Sequence, residues 1–432
     1  MTATDLLVPA WSNPSLRPDW NGAKAHLATA ADGSIVAARG NLILRYLPNG
    51  QLDSSFGDAG RVALSSVEGL PFGLADVAID SEGKVMAFGT TVDPSITREI
   101  SGYLPVWVNP SFATVLGFDS TGKLDPGFGG GDGIFRSGLG FRSLSDEASS
   151  FPLVEVDSAT LDSQGRAVMA IGEVGVPPSE GHSYFGWVTN TLARLTPAGD
   201  LDRSFGGDGI VEDFVGQNQI YSDFCISARD EPVVASLRFS FSPAIGWLTR
   251  LRSNGAPNLS FGGDGTRVVR GGSGPLACES SGRITMLQAP GFARAGRRSP
   301  WTVVRFSSDG RANRHYGQSG RARMRLPDES SLTAIEAGGR GTVLLVGNLS
   351  LPRRGKARAR SFLTVIRLLA SGKPDWRFGH GGRTRTGFGR DTAVSAGEAT
   401  VDASGRLVVA GPGRSPLLQP GGIVMAGYLP GG

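Results

Sequence analysis

Short apolar runs broken by small polar clusters recur along the whole chain. Val77-Ala78-Ile79 leads into Asp80-Ser81-Glu82-Gly83-Lys84 and then Val85-Met86-Ala87-Phe88. Thr160-Leu161, Asp162-Ser163-Gln164-Gly165-Arg166 and Ala167-Val168-Met169-Ala170 repeat the arrangement, and further copies stand at 29–40, 226–236, 278–287, 335–347 and 401–411. Two short apolar runs around an Asx/Ser/Gly turn predict a β-hairpin. A second strand-plus-turn unit follows each hairpin, at 44–50, 117–122, 194–199, 250–255, 305–310, 367–372 and 427–432.

After that unit comes the most regular stretch, Leu201-Asp202-Arg203-Ser204-Phe205-Gly206-Gly207-Asp208-Gly209 in its clearest form. Versions stand at Leu52–Gly60, Leu124–Gly133, Pro257–Gly265, Ala312–Gly320 and Pro374–Gly382. Their aromatic anchors are Phe56, Phe128, Phe205, Phe261, Tyr316 and Phe378. Spacings of 72, 77, 56, 55 and 62 residues are those of a propeller or solenoid. Each repeat supplies strand A, a tight turn, strand B, a variable connection, strand C, a tight turn, and strand D with the aromatic-Gly pair. Seven such repeats predict an all-β chain, a single seven-bladed β-propeller of four-stranded antiparallel blades. The blades fall at roughly 23–66, 67–137, 138–214, 215–270, 271–326, 327–387 and 388–432.

The ends are expected to close the ring. The seventh repeat stops after its strand C turn, and residues 1–22 hold a degenerate strand D in Pro14–Gly22, with Trp20 at the aromatic position. An outer strand from the N-terminus completes the last blade and leaves no unpaired edge.

Composition changes this picture little. Gly 64 and Pro 26 exceed average usage, but they sit at the periodic turns. No run of about 18 apolar residues is present, so no membrane span is expected. Met1-Thr2-Ala3-Thr4-Asp5 has neither the charged nor the apolar region of a signal peptide, which leaves a cytoplasmic protein or one whose leader is absent from this chain. Cys225 and Cys278 occupy the same element of successive repeats, one position out of phase. That phase predicts opposite sheet faces and two free core thiols.

Charge is unevenly spread. Residues 291–390 hold 21 Lys/Arg against 5 Asp/Glu, a net of +16 within a chain of net +4, so the remainder carries −12. A one-sided basic surface follows.

The pattern Gly-x-Leu-Asp-x-x-Phe-Gly-x-x-Gly, once per roughly 60 residues, resembles the delta-60 repeat family of bacterial β-propellers. Departures are Asn258 and Asn313 in place of Asp, and Tyr316 in place of Phe. The resemblance implies a protein of the cell exterior or envelope, and it brings no catalytic residues.

Residues that recur in most repeats are expected to serve the fold. Asp53, Asp125, Asp202 and Asp375 stand three past a turn glycine, and Arg45, Arg194, Arg250, Arg305 and Arg367 stand five before it, a spacing that predicts Arg–Asp bridges across the C–D hairpin. Gly-Gly-Asp-Gly at 206–209 and 262–265 suggests calcium, but calcium repeats run in tandem, and a glycine turn is the expected reading.

Function is sought where blades differ, on the connections at 90–112, 137–156, 173–189, 238–246, 289–300 and 349–361, which share one face. Tyr103, Trp107, His182, Tyr184, Phe185, Trp187, Phe239 and Phe241 offer an aromatic platform for a sugar or peptide. Arg294, Arg297 and Arg298, with Arg353, Arg354, Lys356, Arg358 and Arg360 of the next blade, offer cations for phosphate, sulfate or uronate. Few aromatics interleave with them, which disfavours nucleic acid. The bland alternative is that the long loops fold over small cores of their own and the charges are solvated.

A second location is the central channel. Seven before the A–B turn glycine stand His26, Asp76, Asp223 and Glu398, with Ser158, Pro275 and Leu332 in the other blades. Acids and a histidine at a channel mouth suit a metal or acid–base chemistry. No nucleophile elbow, phosphate loop or zinc signature is present. The leading expectation is therefore a monomeric, non-enzymatic module, with no cofactor, that binds a protein or an acidic polysaccharide. The alternative is a carbohydrate-active hydrolase or lyase using His26, Asp76, Asp223 and Glu398, and whether a metal binds stays open.

Overall fold

The computed structural model describes the chain from residue 24 to 429, apart from 65, 97, 101–105, 138–150, 177–187, 213–218, 239–244, 291–299, 328–329, 352–359, 388–392, 395 and 415–422. The proposed closing strand at 1–22 and the last turn, 430–432, thus lie outside the described residues. Among the described residues there is no α-helix, and one 3₁₀ turn occupies Gly339–Gly341.

Successive antiparallel sheets make a seven-bladed β-propeller. Blade 1 is His26–Thr29, Ile35–Arg39, Leu42–Tyr46 and Arg61–Ala63; blade 2 is Leu70–Ile79, Val85–Val92, Ser111–Phe118 and Ile134–Ser137. Blade 3 is Phe151–Leu161, Ala167–Val176, Val188–Leu195 and Ile210–Val211. Blades 4 and 5 are Gln219–Ile226, Pro232–Arg238, Ile245–Arg250 and Thr266–Arg270, then Leu276–Cys278, Ile284–Gln288, Trp301–Phe306 and Arg321–Met324. Blade 6 has Ser331–Ala337, Val343–Leu351 and Arg360–Leu368, with bridges from Ile366 to Arg383 and Leu363 to Thr386 at the fourth position. Blade 7 has Glu398–Val401, Leu407–Arg414 and Ile423–Tyr428.

The chain forms two compact units. The first holds residues 38–45 and 52–219; the second holds 24–37, 46–51 and 220–432. In the first, apolar cores fill the space between sheets: Phe88, Val115 and Phe128 of blade 2 pack on Val154, Met169 and Ile171 of blade 3. In the second, Val233, Leu248 and Phe261 of blade 4 pack on Leu276, Met286 and Val304 of blade 5. A single antiparallel blade cannot bury both faces alone, so stacking on a neighbour supplies the core.

The recurrent motif is a blade-to-blade joint. Gly57 N–H donates to Thr121 O at 2.7 Å, Gly129 to Ala198 O at 2.9 Å, Gly262 to Asp309 O at 3.1 Å and Gly317 to Ser371 O at 2.8 Å. Each bond runs from the aromatic-Gly of one blade to the C–D turn of the next. The turn glycine there has no room for a side chain: a Cβ on Gly372 (φ +79°) would stand 2.9 Å from Gly317 N and 3.2 Å from the Tyr316 ring. Buried aromatic and facing glycine are therefore two halves of one contact. The Asp of Gly-Gly-Asp-Gly closes an Asx turn, Asp208 accepting Ile210 N–H at 3.0 Å and Asp264 accepting Thr266 N–H at 2.8 Å.

Arginine and acid lock the same joint. Arg45 meets Asp53 at 3.2 Å, Arg194 meets Asp202 at 2.8 Å and Arg367 meets Asp375 at 2.8 Å, as the spacing predicts. The guanidiniums of Arg194 and Arg367 lie 4.6 and 4.4 Å from the centroids of Phe205 and Phe378. In blades 4 and 5, where strand D has Asn, the acid has moved to the A–B turn: Arg250 pairs with Glu231 at 2.6 Å and Arg305 with Glu279 at 2.5 Å. Blade 2 has Gly117 where blades 1, 3, 4, 5 and 6 have Arg, and Lys84 holds Asp125 at 3.1 Å instead.

The cysteines depart from expectation. Cys225 and Cys278 form a disulfide, S–S 2.04 Å and Cα–Cα 5.8 Å, rather than two free thiols. Opposite phase is what brings them together. Blades stack front to back, so a side chain on one face of blade 4 meets one on the opposing face of blade 5.

Candidate functional site

Strand A of blades 1, 2, 4 and 7 carries His26, Asp76, Asp223 and Glu398, the residues singled out for the channel. In blade 2 the register shifts between Leu74 and Asp76, and the same irregularity recurs between Val156 and Ser158 and between Leu332 and Ala334. A bulge re-aims the residue that follows it. In blade 6 that residue is Ala334, not Leu332, because the 3₁₀ turn moves the turn glycine to Gly341 (φ +73°). Gly341 O accepts from Arg305 as Gly83 O accepts from Arg45, which marks the two glycines as equivalent.

The three carboxylates perform one recurrent task. Asp76 Oδ2 accepts the N–H of Ala159 at 2.9 Å, Asp223 Oδ2 that of Leu276 at 2.7 Å, and Glu398 Oε2 that of Leu27 at 3.0 Å. Each acceptor thus holds strand A of the following blade, one residue past the equivalent position. The second oxygen is engaged as well: Asp76 Oδ1 accepts Val77 N–H at 2.9 Å and Asp223 Oδ1 accepts Phe224 N–H at 2.9 Å. Glu398 Oε1 lies 3.0 Å from Nδ1 of the buried His26. Carboxylates bonded to backbone N–H groups on adjacent blades are placed to fix the blades.

One member of this row escaped the sequence reading. Glu336 stands two residues past Ala334, where the other blades carry Ala28, Ala78, Thr160, Cys225, Ala277 and Thr400. A glutamate among small residues is visible in the sequence once the blade 6 turn is aligned on Gly341. Burial raises its carboxyl to about 8, and the charges of Asp223 and Glu398 push the same way. Burial likewise raises Asp223 to about 7, against its two backbone hydrogen bonds and the nearby Lys24. Asp223 and Glu336 therefore belong to one electrostatic group of the second unit, with Glu398 acting on both and Lys24 on Asp223, and these two carboxyls hold protons near neutrality.

The other candidates are placed unevenly. Trp107 lies in the strand Val106–Val108, opposite Glu99 in the hairpin with Arg98–Ile100. Arg360 opens strand C of blade 6. Tyr103, His182, Tyr184, Phe185, Trp187, Phe239, Phe241, Arg294, Arg297, Arg298, Arg353, Arg354, Lys356 and Arg358 lie outside the described residues. Strand B ends and strand C begins at the edge of the sheet opposite the tight turns, as at Val176 and Val188 in blade 3 and at Leu351 and Arg360 in blade 6.

No family model and no curated protein matches the sequence. Among solved structures, the chain is similar to the polysaccharide lyase Uly1, at 9% identity over 89% of this chain and 85% of that one, with a TM-score of 0.43. It is also similar to prolyl oligopeptidase B from Galerina marginata, at 8% identity over 92% of this chain and TM-score 0.43, and it spans 49% of that longer protein. A glucose dehydrogenase matches at 11% identity over 76% of this chain and 94% of its own, with a TM-score of 0.37. At such identities no residue role passes from these proteins to this one.

Proposed function

We propose that this chain is a non-enzymatic recognition module of delta-60 type that works outside the cytoplasm or in the cell envelope. It binds a protein or an acidic polysaccharide through the connections opposite its tight turns. The observation that carries this reading is the engagement of Asp76, Asp223 and Glu398 with backbone N–H groups of the following blade. The acids that an enzyme reading needs are the ones the blades use to hold together. The disulfide adds to it, since such bonds persist in oxidising compartments.

The basic segments around Arg297, Arg298, Arg353, Arg354 and Arg358 supply the charge for an acidic polymer, and Trp107, Tyr103, His182, Tyr184 and Trp187 the apolar contact. Among the described residues no helix is long and apolar enough to cross a membrane. Two variants test the reading. Arg353→Ala with Arg354→Ala and Arg358→Ala weakens retention on acidic polysaccharide by about tenfold or more and reduces its salt dependence. Asp76→Asn with Glu398→Gln lowers stability and leaves binding intact. Turnover of a glycan that this second variant abolishes overturns the reading in favour of a hydrolase or lyase.

A further inference from the structure

We propose a second binding surface, at the tight-turn end of blades 5 and 6, that takes an acidic polysaccharide. Trp376 stacks on a sugar ring there, and Arg314, Lys373 and Arg377 meet its carboxylate or sulfate groups. The inference rests on the reading of this chain as a recognition module but assigns a different surface.

Trp376 is 72% exposed, and it is the one aromatic ring among the large exposed hydrophobics of the described residues. The fold does not require it. The same position, next to the motif Asp or Asn, holds Ser54, Pro126, Arg203, Leu259 and Arg314 in other blades. A large apolar ring left in water on a rigid turn marks a contact surface.

The mounting is rigid. Asp375, one residue before, accepts from Arg367 at 2.8 Å and from Arg377 N–H at 3.2 Å, and Phe378, two residues after, is buried beneath Arg367. The six-membered ring of Trp376 lies over Gly381, 3.4 Å from where a Cβ would stand. An indole held in this way presents a flat apolar surface, which suits the C–H face of a sugar.

Charge surrounds it. The bond from Gly317 N–H to Ser371 O, 2.8 Å, brings the blade 5 turn bearing Arg314 and His315 against the blade 6 turn bearing Lys373. Arg314, Lys373 and Arg377 are exposed, and among the described residues none of them makes an ion pair. The acids nearby are engaged: Asp375 with Arg367, Glu279 with Arg305, and Asp309 with Ser307 and the Arg311 N–H. The field at this end is positive and uncompensated, so the partner is anionic. A single ring favours a polysaccharide over a nucleic acid, whose bases need successive aromatics.

The test uses the full chain with polygalacturonate as acidic probe, dextran as neutral control and single-stranded DNA as competitor, each at low and high salt. Trp376→Ala is expected to weaken polygalacturonate binding about tenfold with an unchanged melting curve. Arg314→Gln with Lys373→Gln and Arg377→Gln is expected to flatten the salt dependence. Wild-type affinity in Trp376→Ala, with loss confined to the Arg353/Arg354/Arg358 variant, overturns this inference and leaves the proposed function standing. No retention of any acidic polymer by the wild type overturns this inference and narrows the proposed function to a protein partner. Displacement by single-stranded DNA, with the same dependence on Trp376, overturns the choice of polysaccharide.

Discussion

Glu279 lies under Arg305 at 2.5 Å, in the blade whose motif position holds Asn313 instead of Asp. The carboxylate has moved from strand D to the A–B turn, and the guanidinium keeps its partner, its place over Tyr316 and its bonds to Gly341 O and Ala370 O in blade 6. Breaking a buried pair by removing one partner costs about 3 kcal/mol or more, because the other charge stays buried. Glu279→Ala is therefore expected to lower the unfolding free energy by that amount. Adding Asn313→Asp recovers most of the loss, since it restores the arrangement of blades 1, 3 and 6. Denaturant unfolding of the single and double variants checks this; no recovery contradicts it.

Tyr316 is the only motif aromatic with a hydroxyl, and that hydroxyl is buried with no hydrogen-bond partner. An unsatisfied buried O–H costs about 1–3 kcal/mol. Tyr316→Phe keeps the ring under Arg305 and removes the orphan group. The variant is expected to be more stable by about 1 kcal/mol, read as a higher melting temperature.

The Cys225–Cys278 bond closes a segment with a sequence separation of 53 residues between blades 4 and 5. Loop entropy gives a cross-link of that span about 4 kcal/mol in the unfolded state. Cys225→Ala with Cys278→Ala, or reduction of the wild type, is expected to lower the melting temperature by several degrees. Titration of two free thiols in the unreduced protein contradicts the bond.

Stability depends on pH through the strand A row. A carboxyl raised on folding is neutral in the native protein where the unfolded chain is already ionised. Stability therefore falls as pH rises from the ordinary carboxylate range through about 7 for Asp223 and about 8 for Glu336. Each unit of elevation is worth about 1.4 kcal/mol, so the two groups together make the decline steep across this range. Glu336→Gln, which cannot ionise, is expected to flatten the decline measured between roughly pH 5 and pH 9. An identical decline in the variant contradicts the assignment.

Much of this architecture is legible in the sequence because each blade repeats the same physical problem. Phe56, Phe128, Phe261 and Tyr316 recur since each fills the same space under the next blade's turn. What repeats in sequence repeats in structure, and the Arg45–Asp53 bridge could be read from spacing alone. Contacts between blades were harder to read. Cys225 and Cys278 looked mismatched because parity within one sheet says nothing of the face its neighbour presents. Glu336 was hidden by a turn that slips the blade 6 register by two residues. The hydrogen bond that Asp223 Oδ2 accepts from Leu276 N–H, 53 residues away, leaves no trace in local pattern. Trp376 sits within the most regular motif, at a position that varies from blade to blade and so carries no repeat signal.

The central claim is recognition without catalysis. The most direct measurement incubates the full chain with polygalacturonate, reading retention against salt and polymer length in the same samples. Retention at low salt that fades steeply as salt rises is expected, with the polymer recovered at its original length. Shortened chains with new unsaturated or reducing ends, lost in the Asp76→Asn and Glu398→Gln variant, would show an enzyme and contradict it.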